Sequence, residues 1–178
     1  MSKGREIRCY DYVNHPYEHV RDTLMKDGIT VFQSATKAAA SRARSITSAL
    51  RVDMGGGIGV EADIVISIKK IEEKGTESRE GPVTRLHLEW QSAKMPNLFP
   101  LMKAKLSIYP LTRTETQLDF SGLYEPPLGP LGRAVNAIVG HRVAEVSVHR
   151  FVSDVAGYLY RTGMRNVARQ RPLAGQSV

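Results

Sequence analysis

TETQLDFSGLYEPPLGPLG, from Thr114 to Gly132, decides how the rest of the chain is read. Its first part alternates. Thr116, Leu118, Phe120, Gly122 and Tyr124 fall on one face, and Glu115, Gln117 and Asp119 on the other, the pattern of a half-buried strand. Pro126 and Pro127 cannot donate ladder hydrogen bonds, so strand pairing ends there. Gly129 is a tolerated helix cap and Pro130 suits a first helical turn. The stretch therefore reads as a rigid joint that turns a strand into a helix and aims that helix back across a sheet.

Downstream, the apolar pattern predicts one long helix from about Gly129 to Arg161, about 50 Å at 1.5 Å per residue. Leu131, Val135, Ile138, Val139, Val143 and Val146 share one side. Val148, Phe151, Val152, Val155 and Leu159 lie roughly opposite. Two arrangements accommodate that change of phase: a bend near Gly140, or burial on two sides, one against the sheet and one against a partner. Beyond Arg161 the periodicity stops, so residues 1–161 are read as one domain and 162–178 as a basic, flexible tail.

Upstream, Arg5 to Val13 places Ile7, Cys9 and Val13 on one side of a strand. NHPYEHVRDTLMKDG predicts a short helix, with Pro16 in its first turn, Glu18 as a capping acid and Gly28 as its stop. A second short helix is expected from Thr30 to Arg44, where Val31, Phe32, Ala35, Ala38 and Ala39 share a face. The segments ITSALRVDM, VEADIVISIKKIEE, VTRLHLEWQSA and LMKAKLSIYPL then alternate apolar and polar residues, as antiparallel strands joined in sequence do. GGGIG at 55–59 and KGTESREGP at 74–82 read as turns, and MPNLFP at 95–100 as a connection. The fold class is thus α+β: an antiparallel twisted sheet wrapped around a long C-terminal helix, with two short helices after the first strand.

At 178 residues, 42% of them hydrophobic, the chain has enough material for one core. Its single cysteine, Cys9, excludes an internal disulfide or a cysteine-rich zinc site. No segment reads as a signal peptide or a membrane span, so a cytoplasmic location is expected. The formal net charge is +7, and removing the arginines of the tail (Arg165, Arg169 and Arg171) leaves +4. The other acid-free interval, Gly28 to Val52, carries Lys37, Arg42, Arg44 and Arg51. Such a surface admits peripheral contact with an anionic membrane. No specific nucleic-acid partner is expected, because no recognition motif accompanies the charge and the basic interval 33–52 lacks interleaved aromatics.

The element order over residues 5–161 resembles the helix-grip fold of the SRPBCC superfamily, which includes START, Bet v 1 and polyketide cyclase relatives. Trp90, the LFP of 98–100, and GLYEPPLGPLG feeding HRVAEVSVHRFVSDVAGYL are similar to a branch of small bacterial members. The resemblance implies a cavity between sheet and terminal helix that holds a lipid, a polyketide or another apolar molecule.

The residues themselves define the lining of such a cavity. The apolar strand faces collect Leu50, Val52, Ile64, Ile66, Leu86, Leu88, Trp90, Met102, Leu106, Ile108, Leu118, Phe120 and Tyr124. Polar members are few (Ser48, Thr84, Ser92 and Thr116), and no carboxylate is expected on these faces. That lining suits an apolar ligand held by a few hydrogen bonds, and equally an ordinary filled core. Candidate ligand-binding residues are Leu88, Trp90, Met102, Leu106, Phe120, Tyr124, His141 and Phe151, with Trp90 and Tyr124 as polar tips on apolar walls. No catalytic residue, metal or cofactor is assigned. His15 and His19 have i, i+4 spacing but lack a third ligand. Three functions remain open: a carrier of a small apolar molecule, a cyclase or aromatase that shapes a reactive chain with His141 as acid–base, and an interaction module or homodimer using Val139, Val143 and Val146.

Overall fold

The computed structural model describes the backbone of residues 5–54, 64–77, 81–92, 102–124 and 137–170. It describes their side chains except at 40–54, 64, 91–92, 137–143 and 165–170. The elements are β1 (Arg5–Val13), α1 (Tyr17–Met54), β2 (Ile64–Lys74), β3 (Val83–Ser92), β4 (Met102–Pro110), β5 (Thr116–Tyr124) and α2 (Ala137–Gln170). The strands form one five-stranded sheet in the order β1-β5-β4-β3-β2, antiparallel throughout. β2 to β5 follow one another as a meander, and β1 closes on β5. Both helices pack on one face, α1 over β2 and β4, α2 over β1 and β5, with the helices side by side. This is the helix-grip arrangement that the element order implies.

Strand alternation decides which face is buried. In β5, Thr116, Leu118, Phe120 and Gly122 point under the helices, and in β4 Ala104, Leu106 and Ile108 do the same. Leu86, Leu106, Ile108, Leu118 and Phe120 are fully excluded from water. Each such large side chain contributes about 1.5–3 kcal/mol on burial. β2 carries a bulge between Ile68 and Lys70. The extra residue shifts the pairing so that Ile71 faces Leu86, and Ile71 is exposed at the sheet edge.

The segment between β1 and β2 departs from expectation. The two short helices predicted at 14–28 and 30–44 are one continuous helix, α1, and the predicted strand ITSALRVDM is its last part. Gly28 does not stop it. The buried stripe Tyr17, Val20, Leu24, Gly28, Val31, Ala35, Ala39 repeats every three or four residues straight through the glycine. A Cβ at Gly28 would lie 3.5 Å from Ile68 Cδ1, so the residue marks where α1 approaches β2. The short run 46–52 satisfies both periods, and continuation of an existing helix is cheaper than nucleating a strand. Nor does the terminal helix end at Arg161. α2 continues to Gln170 and is unbroken at Gly140, because helix continuation needs no apolar stripe once the helix is docked. The joint at 125–136, the GGGIG turn and MPNLFP lie outside the described residues. No helix among the described residues is long and apolar enough to cross a membrane.

Of the two apolar sides expected on the terminal helix, one is the docked face. Ala144, Val148, Phe151, Val152, Val155, Ala156 and Leu159 are buried, whereas Val146 is exposed. Val139 and Val143 lie outside the described side chains.

Candidate ligand site

The strand register places three of the candidate residues in one row. Trp90 of β3 is opposite Met102 of β4, which is opposite Tyr124 of β5. Ile66 of β2 extends the row beyond Trp90, and Arg5 of β1 extends it beyond Tyr124. Trp90, Met102 and Tyr124 are half-buried and pack against the core. One row deeper the floor is low, because Leu88 is followed by Ala104 and Gly122. The low floor has a cause: Phe120 folds its ring over this spot. A Cβ on Gly122 would lie 2.8 Å from Phe120 Cε1 and 3.3 Å from the Ala104 Cβ. A further row in, Leu86, Leu106 and Phe120 are wholly buried.

Aromatic rings close the space between this floor and the helices. Phe151 of α2 meets Trp90 edge-on at 5.1 Å between centroids and Phe120 edge-on at 6.1 Å, and its ring lies tilted against Phe32 of α1 at 5.9 Å. Trp90 and Phe120 are 5.9 Å apart. Edge-to-face contacts of this kind add about 0.5–1.5 kcal/mol beyond area burial. The indole N–H of Trp90 donates to Thr36 Oγ1 at 3.1 Å, so α1 fixes the ring's orientation. Burial pushes the Tyr124 phenol above its ordinary value. It therefore stays protonated at neutral pH and is a hydrogen-bond donor, not a base.

Leu88, Leu106, Phe120 and Phe151 thus sit in the packed interior, and Trp90, Met102 and Tyr124 are partly buried and packed against it. His141 belongs to α2, but its side chain lies outside the described residues. Thr36, Ala104 and Gly122 also build this end of the fold. Their signals in the sequence, a helical threonine and two small strand residues, are common and unspecific until the register is known.

The polar residues expected on the inner face serve the opposite end. Thr84 Oγ1 lies 2.7 Å from the Tyr17 hydroxyl, and Thr116 Oγ1 donates to the His15 carbonyl at 2.8 Å. Ser48 and Ser92 lie outside the described side chains. Two carboxylates do share the inner register, contrary to expectation: Asp11 opposite Leu118 and Glu73 opposite Thr84. Both are on edge strands, where water reaches them. Asp11 accepts from the Tyr12 backbone N–H, and Glu73 lies 3.9 Å from Arg21. The His15 imidazole is a structural clasp: its Nε2–H donates to the Tyr160 carbonyl of α2 at 3.0 Å. No group of three or more potential metal ligands occurs among the described residues.

No protein-family model and no curated protein sequence matches the chain. Solved structures do show likeness. A protein of Thermus thermophilus aligns with a TM-score of 0.49 and 12% identity, over 89% of this chain and 99% of that one. The Zhui aromatase/cyclase of a Streptomyces species aligns at 0.46 and 13% identity, over 97% and 99%. A conserved protein of Geobacillus kaustophilus aligns at 0.48 and 12% identity, over 89% and 97%.

Proposed function

We propose that the chain binds a small apolar molecule at the Trp90–Met102–Tyr124 edge of the grip. The observation that carries the reading is the contrast within adjacent rows. Three large side chains stand half-buried over a floor made of Ala104, Gly122 and the Phe120 ring folded across them, while the next row inward is wholly buried. Apolar walls supply the free energy of transfer, at about 25 cal/mol per Å². The protonated Tyr124 hydroxyl supplies one directional contact, for an acceptor such as a carbonyl or phenolate oxygen. Leu88, Leu106, Phe120 and Phe151 act in this reading as the wall behind the ligand, and His141 as a residue of the covering helix.

Trp90 is the only tryptophan, so its fluorescence reports on this spot alone. Titration with fatty acids and with polycyclic phenols should shift or quench its emission. Ala104→Leu, which raises the floor, should weaken that response about tenfold, at an overpacking cost of about 1–3 kcal/mol. An unchanged emission across both ligand classes would sink the reading. A cyclase-type reaction would start from the same edge, with Tyr124 orienting a carbonyl. Turnover of a poly-ketone chain that is lost in Tyr124→Phe would favour it over simple carriage.

A further inference from the structure

The outer face of the sheet holds a depression that the inner-face reading does not use. It measures about 240 Å³ and is lined by Arg8, Val83, Arg85, Lys105, Ser107, Tyr109, Asp119 and Ser121. The register explains its shape. Ser107 is opposite Asp119, and Ser121 is opposite both Arg8 and Lys105, so short side chains occupy the middle of the face. Arg85 is opposite Ser107 on the other side. Directly opposed Cβ atoms are about 4.5–5.5 Å apart, close enough for the long residues to reach over the short ones. Ser107 and Val83, although on the solvent side of the sheet, are only 8% and 5% exposed. A wet sheet face ordinarily leaves such residues open.

The lining is rich in donors. The lining itself sets Arg8, Arg85 and Lys105 beside one carboxylate, Asp119, while Glu6 pairs with Arg8 from the rim and Glu72 stands opposite Arg85 on β2. Ser107 and Ser121 add hydroxyls, and Ser121 already donates to Glu6 at 3.2 Å. Glu6 also holds Arg8, at 2.8 Å, which steadies that guanidinium at the rim. The Tyr109 phenol is raised by burial, then by Asp119 and Tyr12, so it too remains a donor. A volume of about 240 Å³ is several times the ~30 Å³ of one water, yet below the roughly 300 Å³ where drug-sized pockets begin. The ligand that fits is compact and anionic, with a hydroxyl for the lone carboxylate.

We propose that this outer-face depression binds a phosphomonoester carrying a short polyol arm, its phosphate held by Arg85, Lys105 and Arg8 and its hydroxyls received by Asp119. Planar guanidinium groups match phosphate oxygens in paired hydrogen bonds, and Lys105 adds a point charge. The same chemistry occurs free, as a sugar or glycerol phosphate, and as the headgroup of a phosphomonoester lipid.

Calorimetric titration of the full chain with glycerol 1-phosphate, at low salt, should give a Kd of about 1 mM or tighter. Glycerol without the phosphate should give none. Lys105→Gln and Arg85→Gln should each weaken binding about tenfold or more, the usual loss of a charge-assisted contact. Lys105 is exposed, so its variant folds even if the arginine variant does not. Asp119→Asn separates the roles: it should weaken glycerol 1-phosphate but strengthen inorganic phosphate, since it removes both the hydroxyl acceptor and a repelling charge. Vesicles of phosphatidylcholine with phosphatidic acid distinguish the sources. Binding to these alone, lost in Lys105→Gln, assigns the site to a lipid headgroup. Failure to bind either form, or binding that Lys105→Gln leaves unchanged, overturns the proposal. The Trp90 response on the other face is untouched by any of these results.

Discussion

The two ends of the space between sheet and helices are built from the same kinds of strand residue, yet they are finished differently. At one end, Thr116 ties β5 to the His15 backbone, Tyr17 ties α1 to Thr84, and the His15 ring ties the β1–α1 corner to α2. Each is a side-chain hydrogen bond between elements far apart in sequence. At the other end, among the described residues, Trp90 has one such bond, to Thr36, and Met102 and Tyr124 stand half-buried beside it. Buried hydrogen bonds are costly to break without replacement. The His15 end is therefore tied by three such bonds, and the Trp90 end, among the described residues, by one.

Between the two ends lies the ring of Phe151, and its removal should have the largest effect. Phe151→Ala should cost about 3–5 kcal/mol, because it unseats contacts to Phe32, Trp90 and Phe120 together. Urea denaturation measures this. A loss under ~1 kcal/mol would mean that the interior is loosely filled and that the contrast between its ends is unreal.

The His15 end has its own test. A Cβ on Gly163 would collide with the His15 imidazole, so Gly163→Ala must drive the ring from the Tyr160 carbonyl. The expected loss is about 1–3 kcal/mol, although alanine is the better helix former. A stabilised variant would show that the clasp is dispensable.

The Trp90 end should tolerate more. Trp90→Phe keeps a ring against Phe151 but loses the bond to Thr36, and should cost about 0.5–1.5 kcal/mol. Ligand response is then followed with an environment-sensitive dye. A cost above that of Gly163→Ala would reverse the comparison.

The last effect is confined to alkaline pH and concerns Cys9, in the packed middle beside Phe120. Burial chiefly, then Asp11 and Asp119, pushes its thiol from 9.0 up to about 12. The folded chain therefore keeps a proton that the unfolded chain has released. Stability from this source is complete below the unfolded value and is lost as pH rises through about 9 toward 12. Cys9→Ala should show a shallower alkaline decline in unfolding free energy between pH 8 and 11. Equal slopes would place water at Cys9 and argue against a dry middle.

The alternation in β3, β4 and β5 was legible because a strand with one wet face must repeat every two residues, so Trp90, Met102, Tyr124 and Phe120 fall on the inner face by alternation alone. Helix extent was less legible. Gly28 carries the ordinary mark of a helix stop, and only the approach of β2 explains why the helix runs through it. The roles of the inner-face hydroxyls were illegible for a similar reason. Thr84 and Thr116 looked available to a ligand, but their partners, Tyr17 and the His15 carbonyl, come from residues 67 and 101 positions away.

By itself, then, the sequence determined the fold class, the faces of the strands and the apolar character of the interior, because local periodicity is set by backbone geometry. Tertiary structure decided that Tyr17, His15 and Thr116 tie one end of that interior, that Trp90 bonds Thr36 at the other, and that the outer face gathers Arg8, Arg85 and Lys105 around Asp119. Strand register and helix docking are long-range choices, settled by which buried groups find partners, and no short stretch of the chain contains that information.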